Sequence, residues 1–128
     1  MSAPISFAQG ETVIMTLTIK DGAGTVIDVG ADTFEAEIKS IDDLATSLGA
    51  FTPTFPTDGS DGKVAMTLSA AISLSIPTNV AYNAKGVLST TPSIVYMYDV
   101  YRTKADTTRR RIASGLVTVE PTITLTAT

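Results

Sequence analysis

Along most of the chain, apolar and polar residues alternate with a period of two. Thr12 to Lys20 reads TVIMTLTIK. Val13, Met15, Leu17 and Ile19 fall on one side, and Thr12, Thr16, Thr18 and Lys20 on the other; Ile14 breaks the rule. That is the signature of a half-buried strand. The DGAG that follows, Asp21–Gly24, supplies positive φ at little cost and predicts a hairpin turn, with TVIDV (Thr25–Val29) returning as a short strand. TFEAEIKS (Thr33–Ser40) alternates cleanly, with Phe34, Ala36 and Ile38 inward and Glu35, Glu37 and Lys39 outward. Phe51 to Phe55 predicts a further strand, placed at a sheet edge by Pro53. DGSDG (Asp58–Gly62) is a turn, and KVAMTLS (Lys63–Ser69) puts Val64, Met66 and Leu68 on one face.

The period changes once. SAAISLSIP opens on Ser69, a suitable N-cap, and closes at Pro77, which predicts a short helix near residues 69–76 with Ala70, Ala71 and Leu74 on one side. Asn79 to Pro92 reads as a loop. Ser93 to Arg102 predicts a long strand, Arg109–Ala113 and Leu116–Glu120 two more, and Thr122–Thr126 a closing one. Seven to eight short strands separated by turns predict an all-β fold, an antiparallel sandwich or barrel, and one apolar face per strand favours two stacked sheets. Phe34, Ile38, Leu17, Ile19, Val64, Leu68, Val117 and Val119 are expected in a single core. No repeat, linker or low-complexity tract divides the chain, so residues 1–128 are read as one domain.

Composition narrows the chemistry. With 128 residues, 44% hydrophobic and 17% charged, the chain can bury a core without a disulfide or a metal. It has no cysteine and no histidine. A thiolate metal site and a Ser-His-Asp hydrolase are thereby excluded. The net charge of −4 argues against nucleic acid as a partner. The N-terminus lacks the features of a secretory signal, and no stretch is long and apolar enough to span a membrane as a helix, so synthesis as a soluble protein in a cytoplasm is expected, with no membrane partner.

The two ends carry a resemblance. ISFAQGETVIMTLTIKDGAGTVIDVGADTFEAEIKS is similar to the opening of a group of small bacteriophage proteins: an I-x-F-x-Q-G entry, a strand ending in Lys-Asp-x-x-Gly, then I-D-(L/V) and a strand of alternating charge. Tyr98-Asp99-Val100 and the run from Ser114 to Thr124, SGLVTVEPTIT, resemble their closing elements. The layout is similar to the N-terminal domain of phage baseplate upper proteins. The resemblance implies an immunoglobulin-like antiparallel β-sandwich and a non-enzymatic structural role in the virion, at the tail or baseplate. It also implies other virion proteins as partners, and a homo-oligomer or ring. Capsid decoration and a host-surface-binding module are the alternatives. Thr78–Ser93 is longer than a minimal form needs, and no larger C-terminal region follows, so a stand-alone module is expected.

The residues offer several further readings. MYDVYRTKADTTRRRIASGLVTVEP (97–121) places Asp99 between two alternating runs. Asp99 pairs with Arg109, Arg110 or Arg111 across the hairpin, or is simply solvated. Arg109–Arg111 suit a subunit contact, since arginine binds carboxylates bidentately and is enriched at interfaces. Asp58 and Asp61 offer oxygen ligands, but the spacing of a calcium loop is missing, so a turn is expected and no metal. Tyr96, Tyr98 and Tyr101 form either an aromatic platform for sugars or ordinary sheet packing. No catalytic residue, nucleophile–base set or cofactor motif stands out. The expected contact residues are Asn79, Tyr82, Asn83 and Lys85 in the long loop, Arg109, Arg110 and Arg111, and Thr122, Thr124 and Thr126 in the uncharged closing segment.

Overall fold

The computed structural model describes residues 3–82, 85–87 and 94–122. It is an all-β fold with one short helix. The elements are β1 (Ile5–Ala8), β2 (Val13–Thr18), β3 (Thr33–Ser40), β4 (Gly49–Thr54), β5 (Lys63–Leu68), α1 (Ala70–Ser75), β6 (Tyr96–Thr103) and β7 (Arg109–Glu120). The strands hydrogen-bond in the order β1-β7-β6-β3-β4-β5-β2. Every pairing is antiparallel except β1 with β7. The β2–β5–β4 and β3–β6–β7 neighbourhoods are those of an immunoglobulin-type sandwich, with a terminal strand added to its last strand.

The two expected sheets are joined. In β4, Gly49 to Phe51 pair with β3, and Thr52 to Thr54 pair with β5. One strand thus serves both wings, and the molecule is a single sheet bent at β4 around one core. That core takes Leu17, Val64, Met66 and Leu68 from one wing and Phe34, Ile38, Val100, Val117 and Val119 from the other. Seven of the eight expected core residues are buried, and Ile19 packs half-buried against them. Full burial of an aliphatic or aromatic side chain of this size contributes about 1.5–3 kcal/mol.

Several expectations are corrected. Pro53 is not on an edge strand; it pairs with Met66 inside the sheet order. Pairing of β4 with β3 has ended by then, at Phe51, so proline's missing N–H faces a side without a ladder. Thr25–Val29 is not a strand. Only Val26 bridges back to Lys20; Ile27 N–H then donates to Ile19 O and Val29 N–H to Gly59 O, so the segment splits between two partners. Arg109–Ala113 and Leu116–Glu120 are one strand of twelve residues. Gly115 does not break it: a Cβ there would collide with Ala3 O, so glycine lets the N-terminal segment cross. Strand β6 starts at Tyr96, with Ile94 and Val95 outside it, and the expected start at Ser93 lies outside the described residues. Of the expected closing strand only Thr122 is described, and it is not in a strand.

Helix α1 is capped as expected: Ile72 N–H donates to Ser69 Oγ at 3.2 Å. Its buried residues are Ala70 and Ser73, while Ala71 is exposed and Leu74 half-buried. Polar contacts set that rotation. Ser73 Oγ donates to Glu11 O at 2.6 Å and accepts Gly10 N–H at 3.1 Å, tying the helix to the β1–β2 connection.

Candidate functional site

The expected contact residues fall into five groups. Asn79 is completely buried. Its Nδ2 donates to Ile94 O at 2.8 Å and Val117 O at 3.0 Å, and its Oδ1 accepts Val119 N–H at 2.8 Å. It is a clamp inside the chain and presents nothing to a partner, which corrects the sequence reading. Tyr82 and Thr122 come together in a shallow depression with Ala8, Gly86 and Pro121, and Tyr82 is half-exposed. Lys85 is exposed. Asn83, Thr124 and Thr126 lie outside the described residues. The three arginines open β7, where all are exposed.

Asp99 does not pair with those arginines. It lies opposite Ser114 on β7 and opposite Glu37 on β3. A bulge between Val100 and Tyr101 sets the arginines against Tyr101, Arg102 and Thr103, and the ion pairs among the described residues join none of them to Asp99. Arg109 instead lies over the Tyr101 ring, 3.8 Å from its centroid, and its Nε stands 3.9 Å from Glu35 Oε1. The ion pair is exposed and worth about 0–1 kcal/mol.

Tyr96 and Tyr98 point inward and are buried, so the three tyrosines form no platform. Tyr96 Oη donates to Pro77 O at 2.9 Å and Tyr98 Oη to Ala3 O at 2.5 Å. Burial holds both phenols above their ordinary pKa. Tyr96 opens its strand, and its hydroxyl ties the strand to the segment that follows α1, nineteen positions upstream. At the DGSDG turn, Asp58 Oδ1 accepts both Ser60 N–H and Ser60 Oγ–H, and Asp61 Oδ1 accepts Lys63 N–H. The Ser60 hydroxyl bond, followed by its backbone bond, holds the Asp58 carboxyl below its ordinary pKa.

The outward face of β3, β6 and β7 is the most differentiated surface. Met97 and Leu116 are cross-strand partners at 36% and 53% exposure. Ile41 N–H donates to Val95 O one step further on, and these two side chains are 49% and 39% exposed. Four large apolar groups thus share one end of the face. The next row holds Asp99 against Glu37, two like charges directly opposite each other, an arrangement that destabilises an isolated sheet. Beyond it come Tyr101, Glu35 and Arg109. A concavity between these rows is lined by Glu35, Glu37, Lys39, Leu44, Asp99, Tyr101 and Arg109. Nothing here sets a nucleophile against a base. The arrangement suits contact with another macromolecule: an apolar end, an acidic middle and an arginine–aromatic end.

Sequence reasoning missed one feature entirely. Arg102 Nε donates to Asp32 Oδ2 at 2.6 Å, and both side chains are close to buried. Seventy positions separate them, and neither neighbourhood signals the other. Among the described residues, no helix is long and apolar enough to cross a membrane. The chain matches no protein-family model and no curated protein.

Proposed function

We propose that the protein is a non-enzymatic structural component of a bacteriophage virion. In this reading it is tail- or baseplate-associated, and it acts through protein–protein contacts in a symmetric assembly with other virion proteins or copies of itself. The observation that carries the contact role is the outer face of β3, β6 and β7. Ile41, Val95, Met97 and Leu116 remain 36–53% exposed on it, and clustered apolar exposure of this kind marks interaction surfaces. The resemblance of the chain's two ends to phage baseplate proteins supplies the setting.

The test is incorporation into particles. A Met97→Glu/Leu116→Glu double variant places two charges in the apolar end and leaves every core side chain in place. It is expected to fold, by circular dichroism, and to be lost from particles on a density gradient. Normal incorporation would overturn the assignment of this face. Copy number per particle separates the settings: a tail ring matches the symmetry of the tail, whereas capsid decoration, the alternative, requires the far larger number of a coat. A soluble form absent from particles that binds host cells would support the host-surface module instead.

A further inference from the structure

The molecule is acidic overall, yet four of its nine lysines and arginines line one pocket. Lys20 comes from the segment that follows β2, Arg102 from β6, Lys104 from the β6–β7 turn and Arg110 from β7. The pocket measures about 270 Å³, and Ile19 and Ile112 supply its apolar walls. No carboxylate lines it. The nearest are already engaged: Asp32 accepts from Arg102 Nε, and Asp106 accepts Thr108 N–H at 3.0 Å within the turn.

The backbone makes this convergence, and it does so against electrostatic cost. Val100 pairs with Ala113 and Tyr101 with Arg111, which leaves Ile112 as an extra residue in β7. Without that bulge Arg111 would face Arg102, and Arg110 would turn to the outer face. With it, Arg110 stands directly opposite Arg102, on the inward-pointing side of the strands. Like charges placed directly opposite are destabilising, and bulges re-aim side chains next to functional sites. Asp32 offsets one of the four positive charges, and its bond uses only Nε of the five N–H donors of the Arg102 guanidinium.

We propose that this pocket binds an oxyanion, a phosphate or carboxylate group, held by Arg102, Arg110 and the two lysines. A concave site walled by one sign of charge concentrates counter-ions, and guanidinium groups bond either oxyanion with charge-assisted hydrogen bonds. The pocket admits a single such group. The acidic surface elsewhere gives an extended polyanion such as duplex nucleic acid no track to follow. The site faces away from the arginine–aromatic end of the outer face and is independent of the structural role proposed above.

The experiment is titration of the isotope-labelled protein with inorganic phosphate and, separately, with sodium acetate, at constant ionic strength, following backbone amide shifts. Saturable shifts at Lys104, Thr108, Arg110 and Ile112 are expected. Arg110→Gln should weaken binding about tenfold, the loss of one charge-assisted hydrogen bond. Arg111→Gln, whose side chain belongs to the other face, should leave it unchanged. Saturation by phosphate alone assigns the site to phosphoryl groups; saturation by acetate, alone or as well, extends it to carboxylates such as those of a neighbouring subunit. Absence of saturation with both, or equal weakening in the two variants, would overturn the proposal. Arg110 is exposed, so its replacement leaves the core intact, and a far-ultraviolet spectrum matching the parent confirms that the comparison is between folded proteins.

Discussion

The pair Asp32–Arg102 makes the sharpest statement about a single residue. The two side chains keep only 8% and 12% of their exposure. Removing one partner strands the other in a poorly solvated place, with Arg110 opposite adding repulsion. Asp32→Ala is therefore expected to lower stability by about 3–5 kcal/mol. Arg110→Gln should be neutral or slightly stabilising in the absence of bound anion. Urea unfolding of the two variants checks both signs. Asn79→Ala removes the acceptor of Val119 N–H and the donor to two carbonyls; an orphaned buried group costs about 1–3 kcal/mol, and the same measurement reads it. Neither arrangement was legible in the sequence. Alternation reports which face a residue occupies, and so it identified Leu17, Val64 and Val117 as core. It does not report which distant residue waits on that face. Asp32 sits before a strand and Asn79 in a loop, where both look like ordinary turn residues.

Among the elements, the strands with the strictest alternation were the most legible. β3 runs over the residues expected, Thr33–Ser40, and β5 over Lys63–Leu68, one residue short of the expected end at Ser69, which caps α1, because each sets one face against the core and the other against solvent. Helix α1 was legible from its cap and its proline. Elements were misread where a glycine or proline has a tertiary reason. The gap between the two expected strands, Arg109–Ala113 and Leu116–Glu120, falls at Ser114 and Gly115, yet Gly115 lies within β7, where Ala3 passes over it. Gly115→Ala would force that crossing apart and disturb Ala3 N–H to Ser114 O and Tyr98 Oη to Ala3 O. An overpacking cost of about 1–3 kcal/mol is expected, with faster amide exchange in the first residues of β1. Unchanged exchange there would mean that the crossing tolerates a methyl group. Pro53 misled in the same way, since an interior strand that changes partners has a local edge of its own.

At the scale of the whole molecule, one core shared by both wings predicts one cooperative unfolding transition, with tyrosine fluorescence and far-ultraviolet dichroism superimposing; two separate transitions would show that the wings fold independently. The same core sets the alkaline limit. Tyr96 and Tyr98 have folded pKa values above their unfolded ones. Their contribution is fully present below the unfolded value, about 10, and is lost as pH rises through the folded value. Stability should fall in that window, and Tyr98→Phe should flatten the fall. The parallel pairing of β1 with β7 has a mechanical consequence. Ile5 aligns with Val117 and Ala8 with Glu120, so tension applied to the leading end of β1 and the trailing end of β7 runs along the strands in opposite directions. The rungs between them are loaded together, in shear. Pulled across Tyr96 and Val117, which are paired neighbours on antiparallel strands, the molecule opens rung by rung like a zip. A molecule gripped through β1 and β7 is therefore stiff along that axis and weak across the hairpin, so the direction of pull decides how much load it bears before it yields.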